Sequence, residues 1–185
     1  MEHREKYPLI QIRLHWIVFL LVICTYAAVW LAKYGLHNYP SLAHPIWLLH
    51  YFLGAMVFLF TCVRFVVQKL LQKHIPYIDP PIPLWQYILS TTLKIVLVVI
   101  YWVIPLAGYL YRCKSGFSLD LYFRTFHARC DVDPTAGQFW HTIHVSCAYT
   151  ALGLIAIHAG FAIWNHRVRK NNMLRRMMPP CHKCG

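Results

Sequence analysis

Apolar residues in this chain fall in long unbroken runs rather than in alternation or along one helical face. The runs extend from Leu14 to Ala32, Ile46 to Val67, Trp85 to Tyr111 and Phe139 to Trp164. Each reaches the roughly 20 residues that a helix needs to cross hydrocarbon. The pattern therefore predicts an all-α integral membrane four-helix bundle, built as a single transmembrane domain over residues 1–185 with a basic tail at 165–185. Pro45 suits the first turn of the second helix. Pro105 removes one backbone donor inside the third and is expected to kink it. The Ile78-Asp-Pro-Pro-Ile-Pro83 segment cannot continue a helix and reads as a stiff connector. The first run is longer than the roughly 7–15 residues of a signal-peptide core, so it is expected to be retained as a span.

Composition agrees with lipid as the solvent: 58% of residues are hydrophobic and only 13% charged. The net charge of +12 raises nucleic-acid binding as an alternative, but the positions of the charges argue against it. Arg4, Lys6, Arg13, Arg64, Lys69, Lys73, Arg167, Arg169, Lys170, Arg175, Arg176 and Lys183 all fall at one end of the predicted bundle. The other end carries Lys33, Arg112, Lys114, Arg124 and Arg129, diluted by Asp120, Asp131 and Asp133. By the positive-inside rule, both termini are expected in the cytoplasm. The tryptophans lie mostly near span ends, as an interfacial belt requires. Membrane lipid, not nucleic acid, is the expected surroundings.

Among 12 histidines, five lie within the spans: His15, His50, His141, His144 and His158. Ionisable residues are costly in a bilayer and usually functional. His144 and His158 are 14 residues apart, which returns them to within about 40° of one another, about 21 Å apart along the axis. His141 diverges from His158 by about 100° and is the weaker candidate. By depth, His50 matches His144 towards the outer boundary, and His15 matches His158 towards the inner one. Two neutral imidazoles meeting across a bundle make a six-coordinate haem site suited to electron transfer. Ordinary buried histidines, hydrogen-bonded to neighbours, are the competing reading.

At these residues the chain resembles the bacterial cytochrome b561 family of short four-helix proteins. The resemblance rests on Ile12-Arg-Leu-His-Trp16, Trp47-Leu-Leu-His50, Ile104-Pro-Leu-Ala-Gly108, the His144/His158 pair and Leu174-Arg-Arg-Met-Met-Pro179. It implies a bacterial inner-membrane protein with two haems b, exchanging electrons with ubiquinone or another quinone. Some relatives are similar to superoxide:quinone oxidoreductases, which makes superoxide a candidate donor at the periplasmic face. His15, His50, His144 and His158 match the family's axial ligands. Where some relatives carry histidines in the third helix, this chain has Thr91 and Lys94, which puts any quinone or proton role there in doubt.

Arg13 and Arg64 are candidates for neutralising propionates of the inner haem, against plain positive-inside anchoring. Lys94 is expected to snorkel to the surface, or else to meet quinone or a propionate. Cys24, Cys62 and Cys147 read as small apolar fillers. Cys113 and Cys130 share an outer loop, where an oxidising compartment permits a disulfide that sequence cannot fix. The lone Cys181-x-x-Cys184 lacks the second ligand pair of a structural zinc site, and its tail is expected to be disordered. Two other functions compete with a complete electron carrier. One is a membrane-anchor cytochrome subunit with a protein redox partner; the other is a haem-free transporter, disfavoured because the spans hold few carboxylates.

Overall fold

A computed structural model describes residues 6–121, 124–126 and 130–179. His3, Arg4, His127, Arg129, Cys181, His182, Lys183 and Cys184 lie outside the described residues. The fold is an all-α membrane bundle of four helices: α1 (Leu9–Trp30), α2 (Pro40–Leu70), α3 (Leu84–Lys114) and α4 (Pro134–Arg167). All four are long and apolar enough to cross a membrane. A π-helical turn, Leu31–Gly35, prolongs α1. Pro40 rather than Pro45 occupies the first turn of α2, and Pro45 lies inside the helix. Each helix outruns its apolar stretch, because flanking polar residues continue the backbone hydrogen bonding beyond hydrocarbon.

The helices pack chiefly as α1 on α2 and α3 on α4, with a smaller α2–α3 contact. Val18, Val22 and Val57 form the buried apolar centre, flanked by Leu21, Tyr26, Phe60, Tyr101 and Ile155. The Tyr26 hydroxyl donates to the Ala148 carbonyl and so ties α1 to α4. In lipid, apolar contact between helices gains little over contact with acyl chains, so close packing and polar ties hold such bundles together. Those ties are concentrated at the two ends.

One end carries a short antiparallel ribbon, β1 (Leu119–Leu121) with β2 (Arg124–Phe126), with Leu119 opposite Phe126. At this ribbon end α3 stops at Gly116, whose φ of +76° suits glycine. Phe117 N–H donates to Arg112 O at 2.9 Å and Gly116 N–H to Cys113 O at 3.1 Å, capping the last carbonyls. Cys113 is buried and joined to Cys130, with Cα atoms 5.7 Å apart, so the loop disulfide left open above is present. The Asp133 carboxylate accepts from Ala136 N–H at 3.0 Å and starts α4.

The opposite end carries the first and last described residues. The segment after α4 is not a loose tail through Pro179. It folds back as a strap with a 3-10 turn at Arg175–Met177. Tyr7 N–H donates to Arg176 O at 3.2 Å, and Trp16 Nε1–H to Met177 O at 2.9 Å. Asn172 and Asp79 bond reciprocally at 2.9 and 3.0 Å, fastening the strap to the proline-rich connector. Beneath it, Gln86 and Asn171 both donate to the Asn165 side-chain oxygen, at 2.7 and 2.9 Å. Gln86 and Asn165 are 0% exposed. Replacing Asn165 with alanine strands two buried amide donors, and is expected to lower stability by about 1–3 kcal/mol. Thermal unfolding of the purified protein measures this; an unchanged midpoint would show that the knot contributes nothing.

Candidate functional site

His50 and His144 each lie ten residues beyond the proline that starts their helix, Pro40 and Pro134. That places both about 15 Å along the axis from the ribbon end. Their rings face one another across the bundle, with centroids 6.1 Å apart and planes at 90°. Two metal–imidazole bonds of about 2.0 Å, with a ring radius added on each side, give a centroid separation of about 6 Å. The observed spacing therefore suits two imidazoles on one metal ion.

His144 is held by α3. Its Nδ1 lies 2.8 Å from Ile104 O, and a carbonyl can only accept, so Nδ1 carries the proton and Nε2 presents its lone pair. This is the backbone hydrogen bond that fixes tautomer and orientation in metal-binding histidines. Gly108 makes the approach feasible, since a Cβ there would lie 2.9 Å from His144 Nδ1 and 3.0 Å from its Cε1. On the facing helix, the Thr25 carbonyl lies towards His50. Even so, His50 Nδ1 is buried without a partner of acceptable hydrogen-bond geometry. Gly54, one turn from His50, has nothing within 4 Å of where its Cβ would stand, which leaves clearance beside that imidazole for a flat group. His141 instead packs its ring on Tyr111, at 4.7 Å. His141 and His144 thus face different neighbours.

At the other level, His15 of α1 and His158 of α4 lie within electrostatic range of each other. Arg64 acts on both. Arg13 differs. It is exposed, on the far side of α1, because two residues turn a helix by about 200°. Lys94 is exposed as a residue, with its charge near His158, Arg64 and Arg176. Sequence reasoning missed Gly108 and the Ile104 carbonyl as supports of a histidine. Arg112, counted in the sequence among the basic residues of the ribbon end, donates to Tyr51 Oη at 3.3 Å and lies 4.9 Å from the centres of the Tyr51 and Phe117 rings.

Among the described residues, no three His, Cys, Asp or Glu side chains gather as they would around a bare metal ion. Paired imidazoles with an orphaned ring nitrogen and glycine clearance instead fit an iron whose other four bonds come from a macrocycle. Such a site on four membrane helices is of the kind a membrane cytochrome needs. The prokaryotic cytochrome b561 family model matches residues 6–180, and the chain belongs to that family. It is 32% identical over 181 residues to cytochrome b561 homolog 1 of Escherichia coli strain K12, covering 95% of this chain and 98% of that protein. It is 28% identical over 179 residues to a probable superoxide oxidase, CybB, of Yersinia pestis, covering 95% and 97%. The protein is thus a multi-pass membrane cytochrome b that binds haem b and serves electron transfer.

Proposed function

We propose that the chain holds two haems b, one between His50 and His144 and one between His15 and His158, and links an electron donor outside the membrane to the quinone pool. The observation that carries this reading is the His50–His144 pair at one-metal spacing, with His144 locked by Ile104 O. The proposed second pair lies about 21 Å further along the axis, with the same α4 contributing both His144 and His158.

The orientation proposed is the bacterial inner membrane, with both termini cytoplasmic. The basic residues Arg64, Lys69, Lys73, Arg167, Arg169, Lys170, Arg175 and Arg176 at the tail end support it. The ribbon end then faces the periplasm, where a Cys113–Cys130 disulfide is at home.

Haem supplies reversible one-electron chemistry when bound. The protein's part is to fix the imidazoles, exclude water and set the surrounding charge. Two histidines at each site would hold the group from both sides, so a donor or acceptor would meet the edge of the bundle rather than the metal. His144 cannot swing, because Ile104 O and the flat seat of Gly108 hold its ring. Superoxide is the proposed periplasmic donor. The name of the Yersinia pestis relative supports this, as does the Arg112 guanidinium among Tyr51 and Phe117, which adds positive potential at the entry end. Two superoxide anions would yield two dioxygen molecules, and their two electrons with two protons would reduce one quinone to quinol. At the tail end, Arg64 beside His15 and His158 is proposed to balance cofactor carboxylates. Exposed Arg13 suits anchoring in the headgroups.

Stopped-flow mixing of the oxidised protein with superoxide tests the donor. Fast haem reduction, followed by quinol formation when ubiquinone is added, is the expected result. A haem that superoxide leaves oxidised would point to a protein redox partner as the donor, and to a membrane-anchor subunit.

A further inference from the structure

Arg176 is carried into the bundle end by the strap and is only 5% exposed. Its guanidinium lies 5.1 Å from the centre of the Tyr7 ring. One terminal nitrogen donates to Pro76 O and lies 3.4 Å from Tyr7 Oη, while its Nε is buried with no partner. Two further cations lie within electrostatic range of Arg176 or of its neighbours. Lys94 feels the charges of Arg176 and Arg64, and Tyr7 stands near both arginines. Among the described residues the one acid at this end is Asp79, whose backbone is engaged by Asn172, and no carboxylate pairs with any of the three cations. Three like charges drawn together at a low-dielectric helix end are unfavourable unless an anion joins them.

The position of the cluster indicates which anion. Arg64 acts on both His15 and His158, and Lys94 on His158, and helix register puts all four at a similar level from the tail end, so the two cations border the inner histidine pair. A haem b carries two carboxylates, and a cofactor held by these histidines would bring them within reach of these charges.

We propose that Arg176, delivered by the C-terminal strap, completes with Arg64 and Lys94 a cationic seat for the carboxylates of the haem held by His15 and His158. A segment beyond the last membrane helix then becomes part of the cofactor site. The strap is a positioning element: its hydrogen bonds to Tyr7, Trp16 and Asp79 hold one guanidinium in place. This inference rests on the two-haem reading. A lipid headgroup phosphate offers similar chemistry, and an apolar groove lined by Ile75, Tyr77, Ile82 and Leu84 opens beside Arg176.

The test is a redox titration of the full-length haem-loaded protein, followed by visible absorbance in detergent with and without added anionic phospholipid. Removing a positive charge near a haem favours its oxidised form. Arg176→Gln is therefore expected to keep two haems and make one of them about tenfold harder to reduce, ~59 mV for one electron, leaving the other unmoved. Arg176→Lys should recover most of the shift, and Lys94→Gln should move the same haem in the same direction. Loss of one haem in Arg176→Gln, restored by Arg176→Lys, would support the seat equally. Two retained haems with neither potential changed would overturn it, as would a shift that appears only when anionic phospholipid is added. Should Arg176→Gln not fold, Lys94→Gln outside the strap decides the matter, and a silent result there also overturns the seat. Wild-type protein with fewer than two haems would defeat the two-haem reading itself, an outcome distinct from silence at Arg176.

Discussion

Replacing His50 with alanine is expected to leave the purified protein with one haem per chain in place of two, and replacing His15 is expected to do the same at the other level. In the proposed pairing each iron would draw one ligand from the α1/α2 half and one from α4, so either substitution would open one site and leave the other intact. His50 meets His144 ring to ring, at 6.1 Å. His15 interacts electrostatically with His158. His141→Ala serves as the control: its ring packs on Tyr111, so both haems should remain. Haem extracted and quantified against protein gives the ratio directly. Loss of haem in His141→Ala with retention in His144→Ala would reverse the assignment on α4.

The second large effect is expected at a residue without a side chain. A Cβ on Gly108 would approach His144 Nδ1 to 2.9 Å and Cε1 to 3.0 Å, closer than real contacts allow. In Gly108→Ala the imidazole must turn or α3 must retreat, and either movement breaks the 2.8 Å bond from Nδ1 to Ile104 O. Loss of the partner that orients a metal-binding histidine typically costs about 10–100-fold in affinity. Gly108→Ala is therefore expected to release the haem proposed between His50 and His144 on dilution or dialysis while the other stays bound. Gly153 is the control, since it is exposed and, nine residues from His144, lies about 180° around α4 from it, and Gly153→Ala should retain both. Equal haem retention in the two glycine variants would show that the Ile104–His144 contact does not support the site.

Which features could be read from the chain alone follows from the range of the forces involved. Membrane helices announce themselves because lipid demands about 20 apolar residues in sequence, a purely local requirement. The 14-residue interval from His144 to His158 was legible for the same reason, since the helical period fixes direction along one element. The same period also puts Arg13 on the far side from His15, a signal present in the sequence that adjacency obscured. Gly108 and the Ile104 carbonyl act only through the packing of α3 on α4, and no pattern within either helix reveals that contact. Arg176 reads as one more basic residue in a cytoplasmic tail. Its burial depends on backbone bonds from Tyr7 to the strap, across 169 residues of chain. The Asn165 knot is hidden likewise, because three isolated amides carry no period.

The account depends most on two iron sites, each closed by a pair of imidazoles. Haem content of the wild-type protein, read together with the spectrum of its reduced form under carbon monoxide, tests this most directly. Two haems b per chain and an unaltered spectrum are predicted, because six-coordinate iron has no position for the gas. One haem or none, or a spectrum displaced by carbon monoxide in the intact protein, would contradict it.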